Sequence, residues 1–444
     1  MKFENNHNCY RLFNYMSSKM KSDLTDTIIG GISHFIHISH NDLDGYGCNV
    51  VKNLACLDLG TYFPLNDHVS DPVYNTSKLS DEFYDVLHEY LRIELNSNEF
   101  SKDCNRVGIL ITDIGGLRFD KIQQVLQDVF IKEQFMSKLE HCEEINVYIV
   151  DHHRSEYMNS DQITDSDNLD PFNGIKYVYF SDRDTRAVCY GCIAGSSVVN
   201  LIKMNYFYVF DTAECATSLL KEVLNLTNYP MLDQYVKNVR AYDTGKCDQW
   251  ELSDTDDLLH MVTKVDPGII LNTEIQMANK NKTDMTRLTQ AIAARIMSGS
   301  LYPTDIDCIT MHHIHDEILK MNKDYATFVS MVKLMEIRDL PECMKDYKIS
   351  VVVPEHMDDH LVVGVIMDTE KFNNYNFTSY SKRFFKDYSC CNGLIRGDLY
   401  DDFPSISTRS PDDKCVALNC YEFCKANGGG GHIHAAGFPI HMEK

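Results

Sequence analysis

Hydrophobic and polar positions alternate between two rhythms along this chain. The first thirty residues are polar, Asn-rich and without steady periodicity, and read as an extension ahead of the first strand. Residues 34–38 then form a short apolar run. It breaks at Ser39-His40-Asn41-Asp42-Leu43-Asp44-Gly45-Tyr46-Gly47, and a helix-like run follows over 48–59, which is strand, turn, helix. The pattern returns at 107–111, ending in Thr112-Asp113, and at 146–150, ending in Asp151-His152-His153, with helically spaced apolar residues over 119–139 between them. Short strands alternating with helices predict a mostly parallel sheet with crossover helices. In such sheets functional groups gather at the carboxyl ends of the strands, and all three predicted strands end in acidic or imidazole side chains.

Helical spacing follows at 196–203, 217–224 and 232–239, leading to Arg240-Ala241-Tyr242-Asp243-Thr244. From 251 to 345 the texture is helical and lacks sheet signals, apart from a Ser-Gly-Ser-Leu-Tyr-Pro break at 298–303. A second β-containing unit begins near Tyr347, with strands expected at 349–353, 361–367, 394–396 and 405–407, and closes on Asn427-Gly428-Gly429-Gly430-Gly431-His432. The expected organisation is therefore α/β: an extension (1–30), a first domain with a mostly parallel sheet flanked by helices (31–250), a helical connector (251–345) and a smaller α/β domain (346–444).

Composition narrows the function. A length of 444 residues matches two or three domains of roughly 150 residues each. With 44 % hydrophobic and 24 % charged residues, the chain falls in the soluble globular class, which excludes disorder and fibre. A net charge of −23 argues against a basic face that grips long duplex nucleic acid, and leaves open a small anionic substrate held through metal ions. The 16 cysteines are scattered, with no cleavable signal at the start, so they read as reduced thiols of a cytoplasmic protein. The longest apolar stretch, 361–367, is far short of the roughly 20 residues that cross a bilayer, so no membrane anchor is expected.

Four separated segments carry metal-ligand chemistry: His40, Asp42 and Asp44; Asp113; Asp151, His152 and His153; and Asp243. Alternate residues of an extended segment face the same way, so Asp42 and Asp44 can enter one cleft with His40 beside them. Carboxylates mixed with imidazoles and no thiolate favour Mn²⁺, with Mg²⁺ or Zn²⁺ as alternatives. So many ligands suit two ions, about 3.5–4 Å apart, with one carboxylate shared.

These segments resemble, in order, the four motifs of the DHH phosphoesterase superfamily. The run 428–432 followed by Ala435-Ala436-Gly437 resembles the glycine-rich signature of its C-terminal DHHA1 substrate domain. Together the motifs span positions 40 to 437, and the nearest branch is the nanoRNase (oligoribonuclease) B type. The resemblance implies an active site in the cleft between a DHH domain and a DHHA1 domain. His40, Asp42 and Asp113 would hold one divalent ion, and Asp44, Asp113, His152 and Asp243 the other. Asp113 would bridge the pair, Asp151 would orient the imidazoles, and His153 would touch the scissile phosphate. His40 lies two residues before Asp42, where many members place the histidine four before, which makes it the least typical ligand. Arg409, in Ser407-Thr408-Arg409, stands where relatives keep a phosphate-binding arginine, and Gly429, Gly430, Gly431 and His432 would cradle substrate.

The implied reaction is hydrolysis of short oligonucleotides to 5′-mononucleotides by a hydroxide that two cations activate and share. A cyclic or linear dinucleotide, or pAp, is the alternative substrate within the same superfamily, and a non-catalytic nucleotide-binding scaffold is the rival from another class. Neither membrane nor long duplex is expected as a partner, and a homodimer is allowed. Three other features have structural readings: Cys189-Tyr190-Gly191-Cys192 lacks a second pair for zinc, Met311-His312-His313-Ile314-His315 reads as a helix face, and Trp250 reads as a packing anchor.

Overall fold

A computed structural model describes residues 34–58, 84–85, 87–89, 91–92, 106–114, 121–122, 124–125, 128–129, 144–152, 186–193, 203–211, 215–224, 226, 229–281, 285–303, 308–367, 377–399, 404–411, 416–431 and 433–440. The chain divides into two compact units. One comprises Met1–Pro72, Leu79–Arg240 and Asn281–Tyr302, and the other Val73–Lys78, Ala241–Lys280 and Pro303–Lys444.

The first unit is built on strands β1 (His34–Ser39), β2 (Arg106–Thr112), β3 (Glu144–Asp151), β4 (Arg186–Ile193) and β5 (Lys203–Asp211), in the order β1-β2-β3-β5-β4. β1, β2, β3 and β5 run parallel, and β4 closes the edge antiparallel to β5. Ile36, Ile38, Val107, Ile109, Ile111, Val147 and Ile149 are buried, the near-continuous apolar runs that a parallel sheet covered on both faces demands. Helix α1 (Leu43–Asp58) buries Tyr46, Val50, Val51 and Leu54, and packs against α2 (Ala216–Val223) and against Met285–Met297. Strands β4 and β5 are absent from the sequence reading. Lys203, assigned there to a helical run, opens β5, and the rest of 196–203 lies outside the described residues. The β5 sequence Lys-Met-Asn-Tyr-Phe-Tyr-Val-Phe-Asp is aromatic, and aromatic rings suit a pleated surface.

Helix α3 (Pro230–Asp243) leads into the second unit, where α4 (Leu258–Lys264), α5 (Pro267–Lys280) and, beyond α6 (Met285–Met297) of the first unit, α7 (Cys308–Met331) precede the second sheet. That sheet orders its strands β10-β11-β9-β8-β7-β6, from β6 (Lys333–Glu336), β7 (Val362–Ile366), β8 (Gly393–Asp398), β9 (Ser405–Arg409), β10 (Gly430–Gly431) and β11 (Ala435–Pro439). Only β7 and β8 pair in parallel. Helix α8 (Leu340–Lys345) follows β6, α9 (Phe377–Asp387) lies between β7 and β8, and α10 (Cys420–Ala426) between β9 and β10.

Two expectations are corrected here. Lys333–Glu336 is a strand inside the stretch read as helical; as a half-exposed edge strand it needs no apolar alternation. Residues 349–353 join no sheet. The N–H and C=O of Val352 bond instead to the side-chain amide of Asn427 (2.8 Å each), so the alternation that buries Ile349 and Val351 has a side chain for its partner. Trp250 is fully buried, with its ring 5.8 Å from Tyr325, 5.5 Å from Tyr380 and 5.1 Å from the Arg383 guanidinium, which makes it a packing anchor of the second unit. Met311 and Ile314 of α7 are buried, while His312 and His313 are exposed. Among the described residues no helix is long and apolar enough to cross a membrane.

Candidate metal centre

Parallel register places Ser39, Thr112 and Val150 side by side on β1, β2 and β3. The next residues, His40, Asp113 and Asp151, therefore stand at three adjacent strand ends. Asp113 adopts φ 58°, a left-handed conformation that aspartate tolerates better than most residues, and its N–H donates to the carbonyl of Val150 at 2.9 Å. Asp42 and Asp44 arrive differently from the extended arrangement expected of them. Asp42 caps α1, its Oδ1 accepting the N–H of Gly45 at 3.0 Å, and Asp44 sits in the first turn.

The outcome is two groups that share one carboxylate. His40, Asp42 and Asp113 form one, and Asp44, Asp113 and His152 the other, with ligand atoms in each group within 4.8 Å of one another. Nδ1 of His40 lies 2.8 Å from Oδ2 of Asp42 and 3.6 Å from Oδ2 of Asp113. Nε2 of His152 lies 3.1 Å from Oδ1 of Asp113 and 3.5 Å from Oδ2 of Asp44. The two oxygens of Asp113 thus face different groups. The second group is buried throughout, whereas the Asp42 side chain is 40 % exposed. Hard oxygen donors with imidazole nitrogen, closely spaced and sheltered, fit a divalent cation of the Mn²⁺, Mg²⁺ or Zn²⁺ kind.

Neighbouring charge leaves its mark. Burial works against a charged His40, but the carboxylates of Asp42 and Asp113 outweigh it and hold the imidazole well above its ordinary pKa. Burial first, and then the charges of Asp44 and Asp113, push the Cys48 thiol well up. Behind the strand ends, Nε2 of the buried His37 lies 2.9 Å from Oγ1 of Thr112, whose hydroxyl donates to Ser39 at 3.0 Å.

Asp151 is buried at the end of β3. Asp243 is the last residue of α3, in the second unit, and belongs to neither group. His153 and His432 lie outside the described residues. Arg409 ends β9; its Nη1 donates to the carbonyl of Thr408 at 2.8 Å, its guanidinium lies 5.5 Å from the centre of the Phe377 ring, and burial draws its pKa down. The glycine run carries a structural load of its own. Gly429 donates its N–H to the carbonyl of Cys424 (2.8 Å) at the end of α10, and a Cβ there would stand 2.0 Å from the carbonyl oxygen of Gly437. Gly430 and Gly431 pair with Gly437 and Ala436. The sequence reading missed Ala216 and Thr217, which bond to Asp44. One signal for them existed: α2 starts after Cys215, which supplies no side-chain cap, so its first N–H groups need an acceptor from elsewhere.

No family model and no curated protein matches this sequence. Solved structures do. The DHH domain of a protein described as belonging to a family of ribosomal proteins aligns over 98 % of this chain and 88 % of its own, with a TM-score of 0.51 and 13 % identity. The fold is similar to that of a DHH-domain protein. RecJ from Thermus thermophilus, solved in complex with Mn²⁺, aligns over 95 % of this chain and 52 % of its own (TM-score 0.38, 13 % identity). A pGpG-specific phosphodiesterase from Vibrio cholerae aligns over 92 % and 94 % (TM-score 0.37, 12 % identity). At such identities the likeness is one of fold alone, and it rests on the first of the three.

Proposed function

We propose that this protein is a metal-dependent phosphodiesterase that hydrolyses very short oligonucleotides to 5′-mononucleotides. The observation that carries the reading is the pair of ligand groups joined through Asp113, one oxygen facing each. His40, Asp42 and Asp113 would hold one cation, and Asp44, Asp113 and His152 the other, with Asp243 as a further ligand. Bound there, two divalent cations would neutralise phosphoryl charge and lower the pKa of water toward neutral. The chain contributes fixed geometry: Asp113 would join the two positions, His152 is sheltered from solvent, and Asp151 would orient the neighbouring imidazoles. His153 would contact the scissile phosphate. Arg409, with Gly429, Gly430, Gly431 and His432, would hold the far end of the substrate.

A net charge of −23 supports a short substrate over a long one, because a short strand contributes few phosphates to repel. The test is a product profile with Mn²⁺ across linear dinucleotides, cyclic dinucleotides, pAp, and strands up to two dozen nucleotides. Fastest release of mononucleotides from the shortest linear substrates is expected. Equal or faster cleavage of the longest strands would defeat the short-substrate reading, preference for cyclic dinucleotides or pAp would move the assignment to those substrates, and no hydrolysis with any metal would remove the enzyme reading.

A further inference from the structure

We propose that Thr217, at the first turn of α2, is a positioning residue for Asp44, and through it for the cation that Asp44, Asp113 and His152 would hold; the inference rests on the metal reading above. Asp44 is 1 % exposed, and a carboxylate so deeply buried needs hydrogen-bond donors. It finds them in a helix distant in sequence. Oδ2 accepts the N–H of Ala216 at 2.7 Å, and Oδ1 accepts the N–H of Thr217 at 2.9 Å. Helix α2 has no cap of its own, since Cys215 offers no side-chain acceptor, so Asp44 takes the place of the missing cap where the helix dipole favours an anion.

Thr217 then closes the contact from the other side. Its hydroxyl donates to the backbone carbonyl of Asp44 at 2.7 Å, so one residue holds both the carboxylate and the main chain of Asp44. Cys48 Sγ lies 3.8 Å from the same hydroxyl. Gly47 permits the approach: a Cβ on it would stand 2.3 Å from Thr217 Oγ1. With one N–H bonded to each oxygen, the carboxylate is locked in rotation, and Oδ2 is kept 3.5 Å from His152 Nε2. Among the described residues, Asp42 makes no bond to a helix distant in sequence. It is set by the local cap to Gly45, so a disturbance at Thr217 should reach only one of the two ligand groups.

The test reads metal binding directly, by electron paramagnetic resonance of free Mn²⁺ during titration of the full chain. Thr217→Val keeps the branched shape and the backbone N–H but deletes the hydroxyl. The loss of a supporting hydrogen bond predicts about tenfold or greater weakening of one bound ion, with the other unchanged. Thr217→Ser, which restores the hydroxyl, should bind both ions within about twofold of wild type. Gly47→Ala displaces the same hydroxyl from α1 while raising helix propensity, and should reproduce the Thr217→Val pattern even if that variant fails to fold. Binding by folded Thr217→Val or Gly47→Ala identical to wild type, equal weakening of both ions, or failure of Thr217→Ser to restore affinity would each overturn the positioning role alone. A wild-type chain that binds no Mn²⁺ would overturn the metal reading and this role with it.

Discussion

Nε2 of His152 stands 3.1 Å from Oδ1 of Asp113, joining the ends of two neighbouring strands. The second oxygen of Asp113 faces His40, so removing its charge should disable both groups together. Asp113→Asn keeps the size of the side chain and, like aspartate, tolerates the left-handed backbone. Mn²⁺ affinity is expected to fall by more than about a hundredfold for both ions, beyond what loss of a supporting contact produces. Titration with Mn²⁺, alongside a melting curve without metal that stays close to wild type, checks this.

His37 makes the metal-free protein acid-sensitive. Burial, and then the nearby charge of Lys52, hold its pKa well below the ordinary value. In the unfolded chain the imidazole takes up a proton below about pH 6.5, while in the folded chain it stays neutral. The unfolded state therefore binds more protons in that range, and stability falls as pH falls through it, by up to about 1.4 kcal/mol per pH unit. Urea midpoints in the presence of a chelator, at about pH 7.5 and about pH 5.5, should converge in His37→Gln relative to wild type. An unchanged difference would contradict the assignment.

Trp250 tests the second unit. Its indole is fully buried between Tyr325, Tyr380 and the Arg383 guanidinium. Trp250→Ala should cost about 3–5 kcal/mol, read as a lowered urea midpoint. Mn²⁺ binding to the Asp113 groups, measured below the new midpoint, should be unchanged.

Gly429→Ala would force a methyl into the carbonyl of Gly437, a backbone atom that cannot swing aside. Destabilisation of about 1–3 kcal/mol or more is expected, visible as a lower melting temperature. An unchanged melting temperature would show that β10 and β11 can separate at no cost.

Much of this architecture is readable from periodicity because burial on both faces leaves a strong mark. The apolar runs at 34–38, 107–111 and 146–150 lie inside β1, β2 and β3, and the polar residues that follow them carry the ligand groups. What escaped the sequence reading has physical causes. β6 is a half-exposed edge, β5 is aromatic instead of alternating, and Val352 satisfies its N–H and C=O through Asn427. The bond from Thr217 to Asp44 crosses 173 positions, and no local pattern encodes a contact between a helix start and a remote carboxylate. The glycine run was visible, but a tetraglycine looks the same whether it meets a phosphate or a neighbouring strand.

The strand order also decides which residue can be shared. Adjacent strands lie about 4.8 Å apart, comparable to the separation of about 3.5–4 Å between paired cations. Of three strands in a row, only the middle one has a neighbour on either flank. β2 occupies that middle place between β1 and β3, so the residue that follows it, Asp113, can reach toward both. Inserting a single residue into β2 would turn that carboxylate to the opposite face of the sheet and uncouple the two halves of the centre at one stroke.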